Sequence, residues 1–163
     1  MKQLWAPWRL EYILSEKTKT CIFCHHPLSG QNKKSLLLHA GPSSLVLLNR
    51  YPYTSCHLLI APRKHTGNLS ELDTDEMLDL FSTLRRSVEV LKNAVKPAGF
   101  NIGMNLGRVA GAGITQHLHL HIVPRWQGDT NFMPIAAEAV VLPEHLEKTY
   151  NRLAPVFKTS FKP

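Results

Sequence analysis

The order of apolar patterns along the chain predicts an α+β fold: an antiparallel sheet of about five strands, one long helix and a C-terminal helix. Three observations carry this. Three short apolar bursts follow one another over residues 35–61, each bounded by Gly or Pro turn signals. A single long amphipathic stretch comes next, with a capping pattern at its start. A run of alternating apolar and polar residues then occupies 117–123. Strands, helix, strands and helix in that order suit helices packed on one sheet.

Taken in order, residues 1–18 read as an irregular start followed by a short helix from Arg9 to about Ser15. Residues 21–34 read as a knuckle and loop containing Pro27 and Gly30. The bursts Ser35–His39, Ser44–Asn49 and His57–Ala61 are strands of a meander, with Gly41 and Pro42 in the first turn and Tyr51 and Pro52 in the second. Asp73 is placed to cap the long helix and Glu76 to complete a capping box. Met77, Leu80, Phe81, Leu84, Val88, Leu91 and Val95 then recur at spacings of three and four, giving one apolar face. Pro97 and Gly99 end it. Phe100–Asn105 is a strand, Gly107–Gly113 a glycine-rich loop, His117–Val123 a strand, and Pro143 to about Ala154 a second amphipathic helix.

The chain has 163 residues, 44% of them hydrophobic and 19% charged, which suits one domain spanning 1–163. Within it, 1–30 form an N-terminal extension with a cysteine knuckle and 135–163 a C-terminal helical extension. No apolar run approaches the ~20 residues of a membrane span. The N-terminus lacks the layout of a signal peptide, so the expected compartment is the cytoplasm. The net charge of +7 draws in anions, whether nucleic acid, acidic lipid or phosphorylated small molecules.

The run from 117 to 121 reads His, Leu, His, Leu, His. Residues two apart on a strand share a face, so His117, His119 and His121 project together while Leu118, Leu120 and Ile122 point to the core. Three imidazoles in a row are poor core material, because each needs hydrogen-bond partners. A neutral imidazole can attack phosphorus, and a second can orient it or protonate a leaving group. The upstream glycines let backbone N–H groups approach a phosphate closely. The pattern points to phosphoryl or nucleotidyl transfer, against the plainer alternatives of a metal site or satisfied structural histidines. Cys21 and Cys24 have the spacing of half a zinc site. His25, His26, His57, His65 and His117 are candidates for the other half, and spacing does not choose between them. Cys56 reads as a small buried hydrophobe.

The alternating histidines resemble the signature of the histidine-triad (HIT) superfamily. Leu48 to Pro52 and His57 to His65 resemble its upstream strand-turn-strand. The segments Trp5 to Arg9 and Gly128 to Pro134 resemble the branch of bacterial diadenosine tetraphosphate (Ap4A) phosphorylases and related nucleotide hydrolases. The resemblance implies the HIT fold and a homodimer. It implies a nucleotide hydrolase or transferase acting at an α-phosphate through a nucleotidyl-histidine intermediate, on diadenosine polyphosphates or related adenine nucleotides. Either water or inorganic phosphate is the acceptor. His119 stands at the nucleophile position, His121 at the third triad position that contacts phosphate, and His57 at the fourth histidine that supports the triad. Asn49 matches a residue near the ribose and Asn105 an amide near the phosphate or leaving group. Gly107, Gly111, Gly113 and Ile114 belong to the phosphate loop. Many relatives carry Gln and then Ser or Thr where this chain has Gly113 and Ile114, so those side-chain contacts are missing and backbone N–H groups are left to serve. The resemblance also implies a structural zinc on Cys21, Cys24, His65 and His117, with no organic cofactor. Two other classes compete. One is a zinc-stabilised nucleic-acid-binding module, against which the scattered basic residues count, so no nucleic acid and no membrane is expected as a partner. The other is a nucleotide-binding sensor with little turnover.

Overall fold

A computed structural model describes residues 20–29, 34–129 and 144–161. The expected Arg9–Ser15 helix, the Trp5 to Arg9 segment and residues 130–134 of the Gly128 to Pro134 segment lie outside these residues. The elements are α1 (Ile22–Ser29), β1 (Leu37–Ala40), β2 (Ser44–Leu48), β3 (Leu58–Pro62), a 3-10 turn (Leu69–Glu71), α2 (Thr74–Val95), β4 (Gly99–Met104), β5 (Leu120–Arg125) and α3 (Leu146–Ser160). The five strands form one sheet in the order β1-β2-β3-β5-β4, and every neighbouring pair is antiparallel.

Strand alternation divides the core into two layers. Leu38, Val46, Leu48, Leu58, Ile60, Leu120 and Ile122 face α2 and α3, where Leu80, Leu84, Leu91, Leu153 and Phe157 complete the larger cluster. Leu37, Leu45, Leu47, Leu59 and Ala61 face the other way and pack on Phe23 of α1. This second face carries the histidines: Leu59 pairs directly with His121.

Helix α2 starts as its sequence dictates, with Asp73 accepting from the Glu76 amide and Glu76 closing the capping box. Its far end closes at Lys96 in the left-handed conformation, just before Pro97. The buried stripe is Leu80, Thr83, Leu84, Ser87, Val90 and Leu91. Met77 and Phe81, assigned to the apolar face from their spacing, are 38% and 56% exposed. The stripe passes beside them because small polar residues face the sheet: Ser44 donates to Asp79 (2.6 Å) and bonds Thr83 (2.9 Å).

Three boundaries differ from the sequence expectation. Residues 22–29 form a helix where a knuckle and loop is expected. The histidine strand starts at Leu120, not His117. Its ladder with β3 stops at Ile60 and Leu120, because Pro62 has no N–H to continue it. The Leu118 N–H turns away to the Thr66 carbonyl (2.7 Å). Helix α3 runs past Pro155 to Ser160. Pro155 is exposed, so the carbonyl it strands faces solvent, while Phe157 continues the buried stripe.

Candidate active site and metal-ligand cluster

His57 precedes β3, and His119 and His121 flank Leu120, the first residue of β5, which pairs with β3. The fold thereby gathers three imidazoles. The His57–His121 and His119–His121 ring centroids are 5.1 and 5.0 Å apart. His57 is fully buried and His119 is 6% exposed.

Their partners fix the tautomers. His57 Nδ1 receives the Tyr53 backbone N–H at 3.1 Å and faces the Asn49 amide nitrogen at 3.2 Å. Asn49 Oδ1 accepts the Tyr51 N–H (3.0 Å), which orients that amide. An Nδ1 that accepts leaves the proton on Nε2, so His57 Nε2–H donates to His121 Nδ1 (2.9 Å). His121 in turn carries its proton on Nε2, which is buried with no hydrogen-bond partner among the described residues. His119 is set the opposite way. Its Nδ1–H donates to the His117 carbonyl (2.9 Å), and the lone pair stays on Nε2. Burial lowers the pKa of all three. His57 falls to about 3 and His121 to about 4, with neighbouring histidines adding to the effect. For His119 burial outweighs the raising effect of the hydrogen bond to His117. The row is neutral at pH 7: one bare imidazole nitrogen beside one unsatisfied N–H.

Asn105 follows β4, beside this row, and donates weakly to the Gly111 carbonyl (3.5 Å). Gly107 and Gly111 have φ of +83° and +89°, a conformation that favours glycine. Their loop is closed by bonds from Gly111 N–H to the Arg108 carbonyl and from Ala112 N–H to the Gly107 carbonyl. The Gly111 amide, expected as a phosphate donor, is thus already engaged in the turn. Gly113 and Ile114 have no backbone partner for their amides among the described residues. The Ile114 side chain packs on the Phe23 cluster. Arg125 does not reach toward the histidines, being held by Asp129 in two bonds (2.6 and 2.9 Å) and by Asn101 (2.8 Å).

His117 is separated from the other two in role. Its Nε2–H donates to the Pro62 carbonyl (2.8 Å), so its Nδ1 carries a lone pair. That Nδ1 lies 3.2 Å from Cys21 Sγ, 3.6 Å from Cys24 Sγ and 3.2 Å from His65 Nδ1. Cys24 Sγ is 3.2 Å from His65 Nδ1. All four donor atoms fall within 4.8 Å of one another. A tetrahedral zinc with bonds of about 2.1 Å to nitrogen and 2.3 Å to sulfur spaces its ligands roughly 3.4–3.8 Å apart, near the 3.2–3.6 Å of the four separations above. Among the described residues, His65 and His117 are the candidate histidines that the fold brings to the cysteines. Cys56 is buried as expected, and burial raises its thiol pKa.

Sequence reasoning missed Tyr53 and Phe23. Tyr53 supplies the amide that sets His57, and its ring lies 4.7 Å from His57 and 6.0 Å from His121. Its place four residues before His57 was the available signal. Phe23 lies between the two cysteines and is 1% exposed.

The HIT domain pattern matches residues 30–128. The AP-4-A phosphorylase of Mycobacterium tuberculosis (strain H37Rv) is 33% identical over 162 residues, 94% of this chain and 83% of that protein. The asymmetrical bis(5'-nucleosyl)-tetraphosphatase of Schizosaccharomyces pombe is 29% identical over 141 residues, 86% of this chain and 71% of that one. The fold matches a Zn-bound histidine triad family protein from Mycobacterium smegmatis with a TM-score of 0.65 at 21% identity, covering 86% of this chain and 94% of that one. The chain belongs to the HIT family, a family of nucleotide hydrolases and nucleotidyltransferases.

Proposed function

We propose that this protein breaks dinucleoside polyphosphates or related adenine nucleotides at an α-phosphate through a nucleotidyl-His119 intermediate. The observation that carries the reading is the opposed tautomers of His119 and His121. His119 Nε2 attacks phosphorus, the N–P bond forms, and the P–O bond to the departing nucleotide breaks. The His117 carbonyl, bonded to Nδ1–H, stabilises the positive charge that develops on the ring. His121 Nε2–H donates to a phosphate oxygen, with His57 holding its tautomer through the chain that begins at Asn49 and Tyr53. In this reading Asn105 and the Gly113 and Ile114 amides donate to the same developing charge. In the second step an acceptor oxygen attacks phosphorus, the N–P bond breaks, a water acceptor releases its proton to solvent, and His119 returns to its starting form.

Two acceptors are compatible with this site. Likeness to the Mycobacterium tuberculosis phosphorylase over most of the chain favours inorganic phosphate. Likeness to the Schizosaccharomyces pombe tetraphosphatase favours water. A screen of diadenosine tetraphosphate and adenosine phosphoramidate with and without phosphate separates them. ADP plus ATP from the tetraphosphate marks phosphorolysis, and AMP plus ATP marks hydrolysis. No product from any of these substrates, with or without phosphate, would refute the reading.

Cys21, Cys24, His65 and His117 are the residues that would hold zinc. Bound there, zinc supplies a structural crosslink between α1, the loop after β3 and the start of the triad, without acting on substrate. The same reading takes the chain as one domain in the cytoplasm. It also takes the protein as a homodimer, for which β4 offers an edge strand with Ile102 46% exposed. Among the described residues no helix is long and apolar enough to cross a membrane.

A further inference from the structure

Phe23 sits between the two cysteines, on the first turn of α1, which the bond from His25 N–H to the Cys21 carbonyl closes (3.0 Å). A residue in that place has no need to reach the triad. This one does. Its ring centroid is 5.2 Å from that of His119 at 33°, and 4.9 Å from that of His117 at 48°. It belongs to the apolar cluster of Leu37, Leu45, Leu47, Leu59 and Ala61 on the histidine face of the sheet, against which Ile114 also packs. The hydrogen bond to the His117 carbonyl pins one edge of the His119 imidazole but leaves the ring free to rock about that bond. His121 bounds its motion from one neighbouring position, at 5.0 Å, and Phe23 from another.

We propose that Phe23 is a positioning residue for His119. Carried between the two metal-ligating cysteines, its ring fixes the plane of the imidazole so that Nε2 meets the α-phosphate in line. Metal binding and nucleophile alignment are coupled through this side chain, alongside the direct bond from His119 to the His117 carbonyl. The inference rests on His119 as the nucleophile, and in-line attack is sensitive to small angular errors.

The test compares the zinc-loaded wild-type protein with Phe23→Leu and Phe23→Met, which keep an apolar side chain in the cluster but remove the flat ring. Three quantities are measured: zinc per chain, the His119 ring-nitrogen signals in long-range proton–nitrogen NMR of the free protein, and single-turnover kinetics with diadenosine tetraphosphate. Both variants should keep zinc. The His119 ring signals should broaden or shift, while the Nδ1–H held by the His117 carbonyl persists. The rate of adduct formation at saturating substrate should fall about tenfold to a hundredfold, with KM changed by no more than about twofold. Wild-type NMR signals and rates in either zinc-loaded variant would overturn the proposal. So would a rate loss that tracks zinc content and disappears in the fully loaded fraction, since Phe23 would then serve only the metal. If the wild-type protein forms no adduct, the nucleophile assignment fails, and the NMR comparison still decides whether Phe23 sets the imidazole.

Discussion

At the scale of single residues, His119 and His121 have the same side chain, two positions apart, and opposite hydrogen-bond settings. His119 Nδ1 donates, so its outer nitrogen is a base. His121 Nδ1 accepts, so its outer nitrogen is a donor. Replacing His119 with Ala should therefore cost at least about 10³-fold in kcat, whereas His121→Gln, which keeps an amide donor, should cost less. Steady-state kinetics on one substrate checks the ranking. The same burial has a pH consequence. His57 and His121 bind protons near the ordinary histidine value of 6.5 when unfolded, but near 3 and 4 when folded. The unfolded chain thus holds more protons between about pH 6.5 and 4. The folded state loses stability as pH falls through that window. Urea midpoints at pH 7 and pH 5 should fall more steeply for the wild type than for His57→Gln, and equal slopes would contradict this. The alternation of histidines was legible in the sequence because period two is a local property. The tautomers were not, because they are set by Asn49, Tyr53 and a carbonyl, none of which the pattern marks.

At the scale of elements, the site depends on where the β3–β5 ladder stops. Pro62 ends it, and the chain from Arg63 to Asn68 folds back so that His65 joins the cysteines and Thr66 takes the Leu118 N–H. Gly67 permits this: a Cβ there would collide with the Thr115 carbonyl oxygen, a backbone atom with little room to move. Gly67→Ala should displace the segment before His117, lowering metal affinity and thermal stability together, while Gly99→Ala, where a Cβ meets nothing, should leave both unchanged. Metal titration and calorimetry on the two variants make the comparison. Cys24→Ser should likewise reduce bound zinc and destabilise the protein, read by metal analysis after dialysis. The long helix was legible from its capping box and period. Its outer face was not, since Phe81 obeys the spacing yet lies beside the stripe that Thr83 and Ser87 occupy. The CxxC helix was missed because Pro27 and the cysteine spacing both read as a loop.

At the scale of the whole molecule, a single sheet separates two tasks. One face buries the helices and supplies the larger apolar cluster. The other carries a smaller cluster, the histidine row and the Cys–His cluster. The fold class and the chain order of the five strands and the two longer helices followed from patterning alone. The sheet order did not, because insertion of β5 between β3 and β4 is a long-range pairing that no local period encodes. It is this insertion that places His57 against His121. The proposed chemistry needs the bare nitrogen of His119, and single-turnover trapping tests it most directly. Protein mixed with excess diadenosine tetraphosphate, quenched within the first turnover and digested, should yield an adenylylated peptide containing His119, stable in alkali and lost in acid. Turnover with no such adduct, or an adduct that persists in His119→Ala, would contradict it.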